Sequence, residues 1–371
     1  MRFLTQEASS LAFRRKNPYV FYTDRKKHHG RAILRFILIL ILILIAAGFA
    51  LAMVSAHDLQ YIRQQITIPN LPAEMEGFAI LHLSDLHGRK DQDMVNRIQN
   101  YVKNRTWSCL VMTGDMIGKE ADPEGVLRIC SLFPQDMPKF LILGDEDPDY
   151  LVSYAHENLT PFAEWALHLQ QAGIVILDEP VLITRGAQEK ARLWIVPESL
   201  YTLDLGMMQW TYAGRLKQWD GQSSYTPDEE AQKRVAEYQA DRVERILSKV
   251  GQMQEGDIQI ALTHVPVTEQ EVRQAIQDQD RNGIFSYRKI SMILAGHYCA
   301  GQWRIPGKGP VFVPELGWFP EDSLVNGIGY PGGIQQYISP GLGVSEIYPY
   351  QPFRFLNPAS ITSIELTARM V

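Results

Sequence analysis

Seven side chains in this sequence could bind metal, and each follows a short apolar segment. They are Asp85, His87, Asp115, Asp145, His264, His297 and Cys299. This mixture of carboxylate, imidazole and thiol suits Zn, Mn or Fe, whereas Ca and Mg favour shells made of oxygen. Seven donors are too many for one tetrahedral ion, and they suit two divalent ions that share a carboxylate. Two ions about 3.5–4 Å apart polarise a phosphoryl group and supply hydroxide, so the set predicts phosphoester hydrolysis.

The remaining histidines lack this placement. A single His is more often a surface or core residue than a ligand. His87, His264 and His297 differ because each follows the end of an apolar segment that we predict to be a strand. We therefore assign no ligand role to His28, His29, His57, His82, His156 and His168.

Five apolar segments would have to bring the ligands together, and we predict that all five are strands. They cover residues 78–83, 110–112, 140–143, 258–262 and 290–294. Helical patterns separate them, including capping boxes that begin at Thr226 and Thr268. Strands that alternate with helices predict a layered α/β domain. Ligands in such domains bind beyond the carboxyl ends of the strands, which is where these candidates stand.

An uncharged apolar segment covers residues 36–56 and is long enough to cross a bilayer as a helix. Nine Lys/Arg and two Asp/Glu in residues 1–35 make that tail basic. The positive-inside rule then predicts a single-pass protein of the cell membrane, with a cytoplasmic tail at 1–35 and everything after 56 extracytoplasmic. We interpret 57–76 as a linker and 77–371 as the outer domain. The small residues at 54–56 leave cleavage of the anchor as an alternative.

Charge and cysteine content argue against a nucleic-acid-binding protein and against a disulfide-stabilised one. The tail carries +7 of a net charge of −6, so the rest of the chain carries about −13. Nucleic acid is not expected as a partner, because phosphate backbones need basic surface. Cys109 and Cys130 lie in apolar surroundings and are predicted core residues, and three cysteines do not form a disulfide framework.

The order and spacing of these residues resemble the calcineurin-like metallophosphoesterases. That family shows D-x-H, G-D, G-N-H-[DE], a later His, and G-H-x-H. The corresponding segments here are 85–87, 114–115, 144–147, His264 and 296–299. Segments 301–306, 337–343 and 353–355 also resemble the tail and C-terminal strands of the membrane-associated bacterial branch. The resemblance implies a four-layer sandwich of two mixed β-sheets flanked by helices, behind the one transmembrane helix.

The resemblance also implies roles for individual positions. Asp115 would bridge two divalent ions and so belong to the catalytic machinery. One ion would be completed by Asp85, His87 and Cys299, and the other by Asp145, His264 and His297. Asp145 and Cys299 replace a family Asn and His, and both can bind metal. Glu146 replaces the His that contacts substrate and assists the leaving group.

Glu146 leaves two functional hypotheses open. A protonated Glu146 could act as the catalytic acid only if neighbouring carboxylates raised its pKa. The first hypothesis is that the protein hydrolyses a phosphoester or pyrophosphate bond of a small or lipid-linked envelope phosphate, since loss of the acid matters least for good leaving groups. The alternative is a catalytically impaired relative that binds metal or a phospho-ligand as a scaffold. An insertion at about 200–257 is either a surface elaboration or a part that selects substrate, as a lid or as a membrane-facing contact. Arg304 contacts either a phosphate or an acidic side chain.

Overall fold

The structure, a computed structural model, describes residues 25–56, 58–222, 224–278 and 283–369. Most of the predicted basic tail, and His57, lie outside these ranges. The chain divides into two compact units, Met1–Ala52 and Met53–Val371.

The helices and strands alternate along the chain, as the sequence predicts. The helices are α1 (Arg25–Ala56), α2 (Gln92–Val102), α3 (Glu124–Cys130), α4 (Glu164–Gln171), α5 (Leu205–Leu216), α6 (Pro227–Gln252) and α7 (Glu269–Asp278). The first nine strands are β1 (Leu59–Thr67), β2 (Ala79–Leu83), β3 (Cys109–Thr113), β4 (Lys139–Ile142), β5 (Ile174–Ile176), β6 (Val181–Arg185), β7 (Ala191–Pro197), β8 (Ile258–Leu262) and β9 (Met292–Ala295). The remaining strands are β10 (Arg304–Ile305), β11 (Gly309–Pro310), β12 (Phe312–Val313), β13 (Gly317–Trp318), β14 (Gly327–Gly329), β15 (Gln336–Ile338) and β16 (Ala359–Thr367).

Helix α1 is the described part of the first unit. Its segment Gly30–Ala50 has a mean hydropathy of 2.9 and is exposed along its whole length. A helix of this length and composition can cross a membrane, because its apolar side chains would then face hydrocarbon instead of water. The described part of the chain thus has one apolar helix near the N-terminus that is a candidate membrane anchor.

The second unit contains two six-stranded mixed sheets. The first has the strand order β1-β16-β2-β3-β4-β5, and its β16–β2 pair is antiparallel while the other pairs are parallel. The second has the order β14-β15-β9-β8-β7-β6, with an antiparallel pair at each edge. The five predicted strands are β2, β3, β4, β8 and β9, and all five predictions are confirmed to within two residues.

Three apolar layers hold the second unit together. Between the sheets, Val111 and Phe140 of the first sheet belong to one cluster with Ile260 and Leu294 of the second. Helices α2, α3 and α4 cover the outer face of the first sheet, and α6 and α7 cover the outer face of the second. This order of helix, sheet, sheet and helix confirms the predicted four-layer sandwich. Cys109 and Cys130 are buried, as predicted.

The segment predicted to be a linker at 57–76 instead contributes its residues 59–75 to the sandwich. Leu59–Thr67 forms β1, which pairs with β16 along its whole length. Ile66 and Met75 are fully buried between the sheets. The linker interpretation was wrong because the partner strand lies at the other end of the chain. The C-terminal strand is β16, whereas 353–355 contributes only an isolated bridge to Trp303.

The insertion at about 200–257 forms helices α5 and α6. Helix α6 begins with the predicted capping box, in which Glu229 Oε2 accepts a hydrogen bond from the Thr226 backbone N at 2.7 Å. Arg242 of α6 donates to the Asp178 backbone O at 2.8 Å, so α6 is fixed to the body of the sandwich. Helix α5, whose residues are all described, has no buried side chain, and its Trp210 is exposed. Within the insertion, α5 is therefore the helix that could act as a lid.

Candidate metal centre

Four predicted ligands lie at equivalent points of four parallel strands. Asp85 and Asp115 are the second residues after β2 and β3, and His264 and His297 are the second residues after β8 and β9. Parallel strands place these carboxyl ends at the same edge of each sheet. The two sheets meet there, because His264 Nε2 lies 3.2 Å from Asp115 Oδ2.

Six of the seven predicted ligands form two groups of three, which we call the first and second trios. Within each trio, potential donor atoms lie within 4.8 Å of one another. The first trio is Asp85, His87 and Cys299, and the second is Asp115, His264 and His297. Cys299 Sγ is 3.7 Å from His87 Nε2 in the first trio. Nδ1 of His297 is 3.1 Å from Nε2 of His264 in the second, so two ring nitrogens face the same space.

Glu146 lies between the trios, and Asp145 lies at their margin. Glu146 forms a third group with His87 and Asp115, whose donor atoms also lie within 4.8 Å of one another. The Asp145 side chain is 64% exposed, and its Oδ2 is 3.6 Å from His297 Nδ1. Asp145 belongs to none of the three described groups, although the sequence predicts it as a ligand. Of these two neighbouring acids, Glu146 is the one that the described groups include.

Both carboxylate oxygens of Glu146 are engaged. Oε2 accepts a hydrogen bond from His87 Nδ1 at 3.0 Å, and Oε1 accepts one from Ser345 Oγ at 2.9 Å. Burial raises the pKa of Glu146, but the hydrogen bond and charge of His87 outweigh it, and the net shift is downward. The raised pKa that an acid catalyst needs is therefore absent. Glu146 instead orients the ring of His87 so that Nε2 faces Cys299.

Five of the predicted ligands have backbone conformations that L-residues rarely adopt. The φ angles are 51° for Asp85, 50° for His87, 51° for Asp115, 77° for His297 and 46° for Cys299. Each such residue costs of order 1–3 kcal/mol, and strain of this kind concentrates at functional sites. The surrounding fold therefore holds these side chains at one place at the expense of local stability.

The charges of the cluster favour a cation. Burial lowers the pKa of His87, but hydrogen bonds to Cys299 and Glu146 raise it to about 11. Burial also lowers the pKa of His264, and the hydrogen bond to Asp115 outweighs it, giving a pKa of about 9. The acids thus hold protons on two imidazoles. Metal binding releases such protons, because the ligand is the neutral imidazole.

The residues fit a bound metal on two further counts. Asp85 Oδ2 is buried and has no hydrogen-bond partner in the described part of the chain. A buried carboxylate oxygen without a partner is costly unless a cation completes it. His264 donates from Nδ1 to the Thr113 backbone O at 2.9 Å, which directs Nε2 towards Asp115 and His297. Outer hydrogen bonds of this kind commonly fix the tautomer of metal-binding histidines.

Gly341 allows Asp85 to occupy its position, and we expect Gly341→Ala to disrupt the first trio. The φ of Gly341 is +77°, and an added Cβ would lie 2.9 Å from Asp85 Oδ2 and Cβ. We expect Gly341→Ala to lower metal content and hydrolysis. Gly221→Ala is the matched control, because Gly221 has the same φ with nothing within 4 Å. Both variants carry backbone strain of about 1–2 kcal/mol, measurable by denaturant unfolding. Equal metal content in the two variants would contradict the role of Gly341.

Three further acidic or polar side chains support the centre, and of these only Asp147 belongs to a sequence motif. Asp147 accepts hydrogen bonds from the backbone N of Ile117 at 2.7 Å and of Gly144 at 3.0 Å, which joins the loops after β3 and β4. Glu315 Oε1 lies 3.4 Å from His297 Nε2. Only the tertiary fold brings Glu315 and Ser345 to the centre. Arg304 pairs with Asp322 at 2.6 Å, which favours the salt bridge over a phosphate contact.

Residues 78–301 match the calcineurin-like phosphoesterase family. The match covers more than half of the chain and includes both trios. The chain belongs to the calcineurin-like phosphoesterase family, and metal-dependent hydrolysis of phosphoesters is the general chemistry that this membership supports. No curated protein matches the sequence closely enough to narrow the activity further.

Two solved structures resemble the chain at low identity. Phosphopantetheinyl hydrolase (PptH) from Mycobacterium tuberculosis is 12% identical, with a TM-score of 0.33, over 76% of this chain and 96% of that one. GAP50, described as the anchor in the inner membrane complex of Plasmodium, is 11% identical, with a TM-score of 0.35, over 73% of this chain and 74% of that one. Similarity at this level carries no argument about substrate.

Proposed function

We propose that this protein hydrolyses a phosphoester or pyrophosphate bond at a two-metal centre on the outer side of a membrane. The observation that carries the proposal is the convergence of the two trios at one edge of the sandwich. The substrate class would be an envelope or lipid-linked phosphate, and the ions would be Mn, Zn or Fe, in keeping with the mixed donor set.

Each trio would hold one ion. Asp85, His87 and Cys299 would hold the first, and His264 and His297 the second, with Asp145 at its margin. Asp115 would be shared, because it belongs both to the second trio and to the group that contains His87. When bound, such ions polarise phosphoryl oxygens and make hydroxide available near neutral pH. The backbone N of Glu146 donates to Asp115 Oδ1 at 2.8 Å, which holds the shared carboxylate in place.

Because both carboxylate oxygens of Glu146 are hydrogen-bonded within the protein, we expect the rate of hydrolysis to depend strongly on the leaving group. General acid–base assistance is typically worth about 10²–10⁴-fold in rate, and Glu146 is not placed to supply it. With Mn or Zn, we expect hydrolysis of an aryl phosphodiester such as bis(p-nitrophenyl) phosphate. A dialkyl phosphodiester has a leaving group of higher pKa and is expected to react more slowly for that reason alone. Without an acid to protonate the leaving group, its rate should fall further below that of the aryl ester. The measurement is kcat/KM across a series of leaving groups, and a flat series would contradict this account.

A catalytically impaired binding protein is the second candidate. The observation that favours it is that two acids, Asp145 and Glu146, stand where the family has Asn and His. The added negative charge opposes binding of a phosphate anion. The same assay separates the candidates, since bound metal without turnover of the aryl ester would support the impaired protein and overturn the hydrolase.

The outer location rests on α1 and on the basic residues that precede its apolar segment. In this placement the domain is exposed to the cell exterior or periplasm. Protease added to intact cells, or to spheroplasts where an outer membrane is present, should then degrade it. Full protection of the domain, with degradation after lysis, would contradict this orientation.

A further inference from the structure

A cavity of about 230 Å³ is lined by several residues that are close in the chain to candidate metal ligands. One wall comes from residues that follow two predicted ligands in the chain. Pro266 and Val267 follow His264, and Tyr298 follows His297. The ring centroids of Tyr298 and His297 are 5.0 Å apart. The cavity and the metal centre therefore share this wall.

The opposite wall comes from the segment between β12 and β15. Leu316, Leu324 and Tyr330 line the cavity there. Leu316 is the neighbour of Glu315, whose carboxylate lies 3.4 Å from His297 Nε2. The second wall thus also reaches the metal centre. Both walls therefore include a residue that contacts His297 or is the chain neighbour of one that does.

The chemistry of the lining suits hydrocarbon. Apart from the side chains already named, Pro331 and Ile338 also line the cavity. The polar side chains of the lining are largely engaged within the protein. Gln336 Oε1 accepts from the Val267 backbone N at 2.9 Å, and its Nε2 donates to the Val267 O at 3.2 Å. Glu269 pairs with Arg273, so it offers no cation-binding carboxylate to the cavity.

The rim of the cavity exposes apolar surface to solvent. Leu324 is 49% exposed and Tyr330 is 65% exposed. Clustered apolar side chains at the mouth of a cavity mark binding surfaces. The volume is too small for a packed helix, and Tyr298 of the lining contacts the candidate ligand His297. These facts favour one end of an amphiphilic small molecule over a protein segment.

We propose that this cavity binds the hydrocarbon chain of an amphiphilic phosphoester whose phosphate lies at the metal centre. The inference rests on the proposed function and narrows its substrate class to lipid-like phosphates. The chain length that binds is limited by the cavity, and apolar burial supplies the selectivity. Each methylene that is fully buried contributes as much as about fourfold in affinity.

The test compares alkyl p-nitrophenyl phosphodiesters that differ only in the alkyl group, methyl against hexyl. Water adds to phosphorus and p-nitrophenolate leaves, so the product is the alkyl phosphate in both cases. The full chain is kept in an amphipol, because detergent would compete for an apolar cavity. We expect kcat/KM to be at least tenfold higher for the hexyl ester. Equal values for the two esters would overturn the proposal.

Variants of the rim make the test specific. Leu324→Asp and Tyr330→Ser should reduce the hexyl-to-methyl ratio towards one. Leu203→Asp and Tyr350→Ser are the matched controls, because both replace exposed residues that do not line the cavity, and both should keep the wild-type ratio. A ratio that survives in the rim variants would overturn the proposal, as would a ratio that falls equally in the controls.

The cavity proposal can be tested by binding even if the protein does not hydrolyse phosphoesters. If neither ester is hydrolysed, calorimetry with methylphosphonate and hexylphosphonate measures whether the alkyl chain increases binding affinity. Tighter binding of hexylphosphonate in the wild type, lost in Leu324→Asp, would support the cavity even then. Equal binding of the two phosphonates, or equally tight binding of hexanol without a phosphonate group, would overturn it.

Discussion

Asp115→Asn should remove both metal ions and lower hydrolysis of an aryl phosphodiester by about a thousandfold. This factor corresponds to roughly 4 kcal/mol of transition-state stabilisation, the several kcal/mol that bound ions supply. The expectation follows from geometry, because Asp115 belongs both to the second trio and to the group with His87 and Glu146. An amide oxygen carries no charge and is a poor shared ligand. Metal content per chain and kcat/KM are the measurements.

Asp145→Asn is the matched control for Asp115→Asn. It makes the same chemical change one strand away, at a side chain that is 64% exposed and lies outside both trios. Asn is also the residue that the family uses there, so metal content should persist. Equal metal content in Asp115→Asn and the wild type would contradict the shared role of Asp115.

Glu146→Gln should weaken metal binding by about 10–100-fold, which is typical when a carboxylate behind a metal-binding His is removed. The carboxylate accepts the Nδ1 hydrogen of His87 at 3.0 Å and so presents Nε2 beside Cys299. A neutral amide cannot hold this charge-assisted contact as strongly, and it can turn its NH₂ towards the ring. Competition with a chelator of known affinity measures the effect directly.

The outcome also separates a positioning role from an acid role for Glu146. A positioning residue changes metal affinity and affects all leaving groups alike at limiting metal. A proton donor would leave metal affinity unchanged and slow only esters with poor leaving groups. Glu346→Gln is the control, because Glu346 is an exposed acid paired with Lys119. Unchanged metal affinity in Glu146→Gln would contradict the positioning role.

Local sequence was enough to predict the strands and to select the six candidate ligands that lie together in the trios. Each ligand follows a buried strand, and strand ends in a parallel sheet lie at one edge. The backbone strain at Asp85 and Asp115 could not be predicted in the same way. It depends on contacts such as that between Asp85 and Gly341, residues far apart in the chain.

The features that could not be predicted from local sequence all depend on contacts with residues far away in the chain. β1 looked like a linker because its strand partner is β16, at the far end of the chain. Asp145 and Glu146 are adjacent acids, and composition cannot tell which of them points to the centre. His87 and Ser345 make that choice by binding Glu146. Glu315 reaches His297 from a segment that has no motif of its own.

The most direct test of the central claim is the metal content of the purified full chain, measured together with turnover of bis(p-nitrophenyl) phosphate on the same preparation. Two paired trios predict two divalent ions per chain, and removal of the ions by chelation should abolish turnover until Mn or Zn is restored. One ion or none per chain in an active preparation, or turnover that persists after chelation, would contradict the two-metal account.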